Sequence, residues 1–442
     1  MSKIKLISVV LGAGKGTRMK SAKPKVMHEI GHLPMVQHIE YLLENVGCAK
    51  KVFVSSPDMQ DTRDHLTAFD HTIQKQALGT GHAVLSAANY IDGTTDVLVL
   101  YGDTPLVTEQ TIKNMITARK DYDLVVLGMH PQDPAQYGRL IMDNAGWLTR
   151  IVEFKEATKA EKKVTFCNSG IVLINGKHAL DLLETINNKN AKGEYYLTDI
   201  VEIANQKGLK ATAVVGDEKE LIGVNSCVEL AEAEHIFQTR QRHKFLNAGV
   251  TLRDPATTYF SYDTKIDGGC IIEPNVFFGP GVTIEKDVTI RANSYFEDCH
   301  IKQKACIGPF ARIRPGTEIA EQAKIGNFVE IKKSKIGKGS KVSHLSYIGD
   351  STLGENVNIG AGTITCNYDG YNKYQTILED GVFIGSNSSL VAPLTIGKNA
   401  IVGAGSSITK NINEDEIGIT RVDQKNIKDA ARRFRKSKRL ID

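Results

Sequence analysis

The segment Leu11–Lys25, LGAGKGTRMKSAKPK, combines backbone freedom with positive charge. Its glycines allow a tight turn whose backbone N–H groups can approach a phosphate. These glycines are Gly12, Gly14 and Gly16, and the cations of the segment are Lys15, Arg18, Lys20, Lys23 and Lys25. The apolar run Leu6–Val10 precedes the turn and predicts a buried parallel strand. Together these features indicate a site for nucleotide phosphates.

The glycine spacing differs from the common phosphate-binding fingerprints, because the third glycine of GxGxxG is displaced and GxxxxGK[ST] is absent. For the turn taken alone, a plain loop stays an alternative. The longer string GxGTRM…KPK resembles the signature of sugar-nucleotide pyrophosphorylases, which join a nucleoside triphosphate to a sugar 1-phosphate. The resemblance implies that the turn covers the nucleotide and that basic residues neutralise its phosphates. The residues concerned are Leu11, Gly12, Ala13, Gly14, Arg18 and Lys25.

Another polar group, Tyr101-Gly102-Asp103, follows the apolar run Asp96–Leu100. A carboxylate at the end of a parallel strand is well placed to hold Mg²⁺ beside phosphates, although a turn aspartate explains the pattern equally well. The pyrophosphorylase resemblance implies that Asp103 is a metal ligand and that Asn225 is a second one. Most relatives have alanine where this chain has Gly12, and we expect this exchange to loosen the loop.

Further motifs of this half are uninformative singly, since Asn168 suits an ordinary Asx turn and the segment around Leu78–His82 suits a simple loop. In the pyrophosphorylase family they occur in the same order and with similar spacing. The resemblance implies that the string LGTGHA reads the uracil base and that later residues bind the sugar. The implied nucleotide- and sugar-binding residues are Gln74, Gly79, Thr80, Tyr101, Gly102, Gly138, Glu153 and Asn168.

Length and composition indicate a globular protein with two domains. The chain has 442 residues, of which 41% are hydrophobic and 24% charged. No apolar run approaches the ~18 residues of a membrane span, and the N-terminal run is too short for a signal peptide. Seven cysteines without CxxC spacing predict reduced thiols, no zinc site and a cytoplasmic location.

The net charge of +4 arises in the C-terminal tail. Residues 421–442 contain nine Lys/Arg and three Asp/Glu, a local charge of +6, so the rest of the chain carries about −2. A basic body for nucleic-acid binding is therefore not indicated. We expect small-molecule partners, with neither nucleic acid nor membrane among them.

Residues 1–226 alternate short apolar strands with helical stretches, which predicts an α/β, Rossmann-like domain with a mostly parallel sheet. The candidate strands are Lys5–Val10, Lys51–Ser55, Val97–Tyr101, Asp123–Leu127 and Ile171–Ile174. Ser226–Glu229 forms a capping box sequence. It predicts a charged linker helix over residues 227–247, and we place the domain boundary within this helix.

From residue 248 to 442 the apolar period becomes six, the signature of hexapeptide repeats. The repeated positions are Ile266, Ile272, Phe278, Ile284, Ile290 and Phe296, then Ile301, Ile307, Ile313, Ile319, Ile325 and Ile331, and later Ile384, Leu390, Ile396, Val402 and Ile408. Three hexads close one triangular coil, so we expect a parallel β-helix of about eight coils. Resemblance to known hexapeptide proteins implies the left-handed form, against the usual crossover rule. Cys366–Tyr374 breaks the period and is either a site or a tolerated insertion.

Hexapeptide β-helices are typical of acyl-coenzyme A acyltransferases, usually trimers with sites between prisms. The strings His344–Asp350, Asn358–Thr363 and Asn367–Gly370 resemble the acetyltransferase half of the bacterial bifunctional N-acetylglucosamine-1-phosphate uridylyltransferases/glucosamine-1-phosphate acetyltransferases. The resemblance runs from residue 5 to about 425. It implies that His344, which alone would suggest a surface histidine, is the general base that takes the amine proton.

The same resemblance assigns binding residues in this half. For the amino-sugar phosphate they are Arg314, Lys332, Tyr347, Asn358 and Lys373. For acetyl-coenzyme A they are Ala361, Asn367, Tyr368, Ser386, Ala404 and Arg421, and we expect Asn367 and Tyr368 to line the amino-sugar site as well. Cys366 lies beside the irregular loop and suggests an acyl-thiol intermediate, but we favour direct transfer with Cys366 as a packing residue.

Taken together, these features predict a bifunctional homotrimeric enzyme. It would use Mg²⁺, UTP, acetyl-coenzyme A, glucosamine 1-phosphate and N-acetylglucosamine 1-phosphate. One alternative is a single-activity sugar-1-phosphate nucleotidyltransferase with a regulatory β-helix. Another is a non-catalytic scaffold of the same architecture, as in subunits of a eukaryotic guanine-exchange translation factor. The basic tail is either a solvated helix or a segment that closes over a neighbouring subunit's coenzyme A.

Overall fold

The computed structural model describes residues 5–14, 16–134, 136–190 and 192–438. The chain forms two compact units, Met1–Arg240 and Gln241–Asp442. Their boundary falls inside one continuous helix, Cys227–Asn247. Among the residues described, every helix is too short or too polar to cross a membrane.

The N-terminal unit alternates strands with helices, as its sequence pattern predicts. In chain order these elements are β1 (Leu6–Leu11), β2 (Glu29–Ile30), β3 (Leu33–Pro34), α1 (Met35–Asn45), β4 (Lys50–Ser55), α2 (Gln60–His65), β5 (Asp70–Ile73), α3 (Thr80–Leu85), β6 (Asp96–Tyr101), α4 (Glu109–Ala118), β7 (Leu124–Met129), β8 (Arg139–Met142), β9 (Leu148–Val152), β10 (Cys167–Ile174), α5 (Gly176–Thr185), α6 (Ile200–Gln206) and β11 (Ala211–Val215).

The main sheet has the strand order β11-β7-β10-β6-β1-β4-β5, with β8 and β9 attached at β10. β1 lies between two parallel neighbours, β4 and β6, and all six of its residues are buried. Apolar clusters cover both faces of the sheet, which explains the continuous apolar run of β1. The five predicted strands are confirmed. β10 departs from the parallel pattern, because it runs antiparallel to both β6 and β7.

The helix α7 (Cys227–Asn247) confirms the predicted linker helix. Its capping box forms as expected. The backbone N–H of Glu229 donates to Ser226 Oγ at 3.4 Å, and the Ser226 hydroxyl donates to Glu229 Oε2 at 3.1 Å. The first bond satisfies a backbone N–H that a helix N-terminus otherwise leaves unpaired, and Glu229 Oε2 also accepts from the Asn225 N–H at 2.7 Å.

The C-terminal unit is a left-handed parallel β-helix of hexapeptide repeats. Its strands are β12 (Thr251–Leu252), β13 (Lys265–Ile266), β14 (Ile271–Ile272), β15 (Phe277–Phe278), β16 (Thr283–Ile284), β17 (Thr289–Ile290), β18 (Tyr295–Phe296), β19 (Cys299–Ile301), β20 (Cys306–Ile307), β21 (Arg312–Ile313), β22 (Thr317–Ile319), β23 (Lys324–Asn327), β24 (Glu330–Lys332), β25 (Lys335–Ile336), β26 (Lys341–His344), β27 (Tyr347–Gly349), β28 (Ser351–Leu353), β29 (Asn358–Ile359), β30 (Ile364–Cys366), β31 (Thr376–Leu378), β32 (Phe383–Ile384), β33 (Ser389–Val391), β34 (Leu394–Ile396), β35 (Ile401–Val402), β36 (Ser407–Ile408) and β37 (Ile417–Gly418).

Every third strand from β13 onward belongs to the same face of the prism. Face one takes every third strand from β13 to β34, and face three every third strand from β15 to β36. Face two takes every third strand from β14 to β35, with β12 and β37 added at its ends. Faces one and three have eight strands each, in agreement with the predicted number of coils. The register places isoleucine on isoleucine, as in Ile313 on Ile331, and these side chains fill the interior. The irregular loop Cys366–Tyr374 leaves the prism between β30 and β31, and an exposed helix, α8 (Ala430–Lys438), lies in the basic tail.

Candidate active sites

A cleft of about 370 Å³ opens where β1 and β6 end. This is the edge at which ligands of open α/β sheets bind. The backbone N–H of Gly12 donates to the carbonyl of Val54 at 2.9 Å, which holds the glycine turn against the sheet. Predicted site residues that line the cleft are Leu11, Gly12, Ala13, Gly14, Lys25, Gln74, Gly79, Thr80, Tyr101 and Asp103.

Lys25, Asp103 and Asn225 meet in this cleft. The Lys25 ammonium donates to the Asp103 carboxylate and, at 3.0 Å, to Asn225 Oδ1. A backbone hydrogen bond of 2.9 Å from Val224 to the Asp103 carbonyl brings the two oxygen donors together. A carboxylate and an amide oxygen are hard ligands, and the Lys25 ammonium already lies between them, so Asp103 and Asn225 fit a divalent cation.

The segment before α3 is more ordered than a simple loop. Gln74 is buried, and its amide donates to the Gly79 carbonyl at 3.0 Å. Gly79 has φ of 116°, and a Cβ there would lie 2.5 Å from the Tyr195 carbonyl oxygen, so only glycine fits. Thr80 begins α3 and accepts a hydrogen bond from the Leu197 backbone at 3.1 Å. The loop alternative for this segment is therefore wrong, since its second half is the first turn of a helix.

A second recess continues from the cleft past Tyr101 and reaches Asn168 and Gly170. β10 bulges between Asn168 and Val172, and bulges often re-aim side chains beside active sites. Asn168 Oδ1 accepts from the Gly170 N–H at 2.9 Å, and the Asn168 N–H donates to the Gly138 carbonyl at 2.8 Å. Nearby, Glu153 accepts a hydrogen bond from Thr198 at 3.3 Å, and burial raises the pKa of this carboxyl.

In the β-helix, one edge of the prism carries a column of predicted residues. This edge joins face two to face three. Asn387 donates from its backbone to the Ala361 carbonyl at 2.7 Å, and Gly405 to the Ser386 carbonyl at 2.8 Å, so successive coils stack here. The column contains His344, Ala361, Ser386 and Ala404, and Arg421 donates to the Ala404 carbonyl.

The opposite edge of face three collects the predicted phosphate-binding cations. The neighbouring Lys373 ammonium, and then burial, lower the pKa of Lys332, with Arg314 also close. Asp350 lies 3.9 Å from Lys332 Nζ and accepts a hydrogen bond from the buried amide of Asn367. Three cations held together against their mutual repulsion are suited to an anion such as a sugar phosphate.

Comparison with known proteins agrees with this geometry. Residues 8–168 match a family model described as the MobA-like NTP transferase domain, and residues 375–410 match the hexapeptide repeat of succinyl-transferase. The bifunctional protein GlmU of Paramagnetospirillum magneticum is 48% identical over 98% of this chain and 98% of its own. The chain belongs to the GlmU family. GlmU proteins of Bartonella quintana and Zymomonas mobilis are 47% and 45% identical, over 97% and 98% of both chains respectively.

The cations of the GlmU glycine turn differ in their surroundings. Lys25 lines the cleft, Lys23 pairs with Glu29 at 2.7 Å, and Arg18 and Lys20 are exposed. The contact of Arg18 with phosphate stays a prediction. Lys15 lies outside the described residues. The Phe53 ring packs against Gly12, and a Cβ at this position would lie 2.3 Å from that ring. The expected loosening of the loop stays a prediction. Gly102 packs behind the cleft, with its N–H bonded to the Leu11 carbonyl.

Within one GlmU chain, the acetyltransferase residues divide between two edges. His344 begins the corner before face three, whereas Lys332 pairs with Gly349 at the far end of that face. Tyr347 and Asn358 lie on faces three and two, and Asn367 and Tyr368 follow β30 at the far edge. At ~3.3 Å per residue the two edges are about 16 Å apart. A single prism therefore does not bring His344 to its own phosphate-binding cations.

Several contacts in the GlmU sites were not predicted from sequence. The cleft is lined by Glu194 and the recess by Thr198, and the backbone of Tyr195 lies against Gly79. All three residues precede α6, in a segment whose sequence has no periodic pattern. Asn327, on β23, lies 2.8 Å from the His344 ring. It stands two residues after the interior Ile325, just as His344 stands two residues after the interior Val342. Aligning these two interior positions would have placed Asn327 beside His344.

Proposed function

We propose that this chain catalyses two successive steps of UDP-N-acetylglucosamine synthesis. The β-helix acetylates glucosamine 1-phosphate with acetyl-coenzyme A. The N-terminal unit then transfers UMP from UTP to the resulting N-acetylglucosamine 1-phosphate and releases pyrophosphate. The product is a precursor of bacterial cell-wall polymers. The observation that carries this proposal is the presence of both sets of residues in a chain that matches bifunctional GlmU proteins over 98% of its length.

In the uridylyl transfer, the sugar phosphate attacks the α-phosphorus of UTP in line with the leaving pyrophosphate. A phosphate oxygen forms the new P–O bond, and the bond to the pyrophosphate oxygen breaks. No protein nucleophile is needed, because the attacking group is already an anion. Lys25 lies in the cleft to neutralise charge on the phosphates. Asp103 and Asn225 would hold Mg²⁺, which supplies further charge neutralisation when bound.

In the acetyl transfer, His344 takes a proton from the ammonium of glucosamine 1-phosphate, which frees the nitrogen lone pair. The nitrogen attacks the thioester carbonyl and the C–S bond breaks. The nitrogen loses its second proton as the amide forms, and the departing coenzyme A thiolate takes up that proton. Arg314, Lys332 and Lys373 bind the phosphate of the amino sugar. The column Ala361, Ser386, Ala404, together with Arg421, lines the path of coenzyme A.

We also propose that the enzyme is a cytoplasmic homotrimer. The amine and phosphate of glucosamine 1-phosphate sit on adjacent carbons, so the base and the phosphate-binding cations must be close. The two edges of face three lie about 16 Å apart in one chain. A neighbouring prism that pairs its His344 edge with the Lys332 edge of this one would complete the site. A reducing compartment suits the seven unpaired cysteines.

The deciding experiment measures both half-reactions on wild type, His344→Ala and Asp103→Ala. Free thiol from acetyl-coenzyme A reports the first reaction, and pyrophosphate from UTP reports the second. Each variant is expected to lose only its own activity. The proposal would be contradicted if both variants kept both activities, or if the wild type released no thiol. A single-activity nucleotidyltransferase predicts pyrophosphate release without thiol release.

The trimer is tested by complementation. Purified His344→Ala and Lys332→Met chains are each expected to show little acetyl transfer when glucosamine 1-phosphate is held well below the wild-type KM. Mixed, unfolded and refolded together, they are expected to regain activity, since some shared sites combine an intact histidine with an intact lysine. Mixtures that stay inactive would contradict a site built from two chains.

A further inference from the structure

His344 is directly paired with the side chain of Asn327. Its Nδ1 atom lies 2.8 Å from Asn327 Oδ1. With Asn327 Oδ1 facing the ring, the amide can only accept, and this pairing puts the proton of the neutral ring on Nδ1. In neutral histidine the other ring nitrogen, Nε2, then holds the lone pair that a general base needs.

The backbone around this pair is built to form it. Asn327 and His344 are cross-strand partners on the adjacent strands β23 and β26. Over the described residues of face two, these two strands are four residues long, while every other strand has two. Gly326 makes the longer pairing possible, because a Cβ there would lie 1.9 Å from the Ser343 carbonyl oxygen. The extension keeps the two side chains in register beyond the ordinary hexapeptide strand.

The described residues that line the recess around the pair include no carboxylate. The recess that contains both side chains is lined by Arg291 and Lys324, and Lys341 neighbours Lys324 on the adjacent strand. All three charged groups are cationic. An uncharged acceptor can orient the ring without making the ring bind its proton more tightly. An aspartate at the same place would make the ring bind its proton more tightly. A base that must accept a proton and release it again near neutral pH benefits from this arrangement.

We infer that Asn327 is a positioning residue that fixes the tautomer and the ring plane of His344, leaving Nε2 as the proton acceptor in acetyl transfer. This inference rests on the proposed function, in which His344 is the general base. Without the amide, the neutral ring is free to carry its proton on Nε2 instead. In that tautomer Nε2 is a donor and cannot take the proton of the amine.

The test compares Asn327→Ala with Asn327→Asp, and uses uridylyl transfer by the same preparation as an internal standard for folding. Asn327→Ala should lower kcat for acetyl transfer about 10–100-fold, with KM for both substrates changed less than about twofold. Asn327→Asp keeps an acceptor and should retain most of the activity. Its carboxylate should move the acid limb of the pH profile upward by about one pH unit. Asn293→Asp adds the same charge two coils away and should change neither rate nor profile.

Nitrogen NMR of protein labelled at histidine reads the tautomer independently of activity. Wild type at high pH should show a protonated Nδ1 and an unprotonated Nε2 for His344, and Asn327→Ala should show the mixture or the reverse. A protonated Nε2 in wild type would overturn the inference, as would an Asn327→Ala variant with wild-type kcat. If His344→Ala also keeps acetyl transfer, the proposed function has failed; if only Asn327→Ala keeps it, this inference alone has failed.

Discussion

The Lys25 ammonium and the Asp103 carboxylate form an ion pair across 78 residues of sequence, at the carboxyl edge of the N-terminal sheet. Both side chains are largely shielded, with 12% and 15% of their surfaces exposed. Shielding strengthens the attraction and also the cost of leaving one partner alone. The pair therefore ties the glycine turn to the end of β6, where the reacting phosphates are expected.

Removing the Lys25 charge should abolish uridylyl transfer selectively. Lys25→Met is expected to lower the rate of pyrophosphate release at least about 100-fold, since a charge-stabilising group is lost from the site. Acetyl transfer by the same protein should be unchanged. Lys23→Met is the matched control, because Lys23 pairs with Glu29 on the surface and should matter less than twofold. Equal losses in the two variants would show that Lys25 has no special role.

Gly170 leaves room for the Tyr101 ring beside the nucleotide cleft. A Cβ at this position would lie 2.7 Å from Tyr101 Cε2, and φ is 90°. Gly170→Ala should displace the ring and reduce uridylyl transfer at least about tenfold, because small misplacements at a reacting site cost large factors. Gly146 has a similar φ of 82°, and among the described residues a Cβ there would have no neighbour within 4 Å beyond the adjoining residues. Gly146→Ala therefore reports the effect of backbone strain alone. Similar activity losses in both would assign the effect to strain rather than to Tyr101.

Direct acetyl transfer predicts that Cys366 is dispensable. Its side chain is only partly exposed and lies next to Asn367 at the start of the irregular loop. Cys366→Ser should keep thiol release within about twofold of wild type, as Cys227→Ser should at an exposed site of the N-terminal unit. Mass spectrometry after incubation with acetyl-coenzyme A alone should find no acetylated enzyme. An acetyl adduct that disappears in Cys366→Ser would establish a covalent intermediate instead.

Lys332 and Lys333 are neighbours in sequence and differ in their surroundings. Lys332 lies close to Lys373 and Arg314, whereas the side chain of Lys333 is 73% exposed. Lys332→Met should raise KM for glucosamine 1-phosphate about 10-fold or more, since an ammonium–phosphate contact is lost. Lys333→Met should change it less than about twofold. Inorganic phosphate, as a competitor of glucosamine 1-phosphate, should inhibit Lys332→Met less than wild type. Its inhibition of Lys333→Met should be unchanged.

Asp199 should make the stability of the N-terminal unit depend on pH. Burial, followed by the carboxylates of Glu156, Glu202 and Glu153, raises the pKa of Asp199 from 3.8 to about 6. Between these two values the folded state binds more protons than the unfolded state, so stability falls as pH rises and the penalty is complete above about pH 6. Asp199→Asn should raise the unfolding temperature at pH 8 by about 1–3 °C, after discounting for solvent screening.

Calorimetry across pH 4 to 8 would test the Asp199 prediction. The difference between Asp199→Asn and wild type should shrink as pH falls and vanish near pH 4. Asp181→Asn is a useful contrast, because Asp181 pairs with Lys207 on the surface and should not stabilise the protein at pH 8. A constant difference across this range would contradict a raised pKa at Asp199.

The sequence alone was informative for features that depend on residues close together in the chain, such as repeats and helix caps. Alternation of strands and helices, the Ser226–Glu229 capping box and the six-residue period each depend on near neighbours, and all three predicted structures are confirmed. The antiparallel course of β10 was not predictable, because strand direction depends on where the chain returns to the sheet. The family motifs contain most of the predicted residues that line the nucleotide cleft, because several of these motifs lie at the ends of buried strands.

Only the tertiary structure decided which distant groups meet. Lys25 and Asn225 are 200 residues apart and share a hydrogen bond, and the pairing depends on Val224 docking on the Asp103 carbonyl. Asn327 reaches His344 because one extended pair of strands keeps them in register. The two edges of face three separate His344 from Lys332, although both lie within twelve residues of each other in sequence. A sequence records residue types and spacing along the chain, whereas contacts across strands and coils depend on how the backbone is packed.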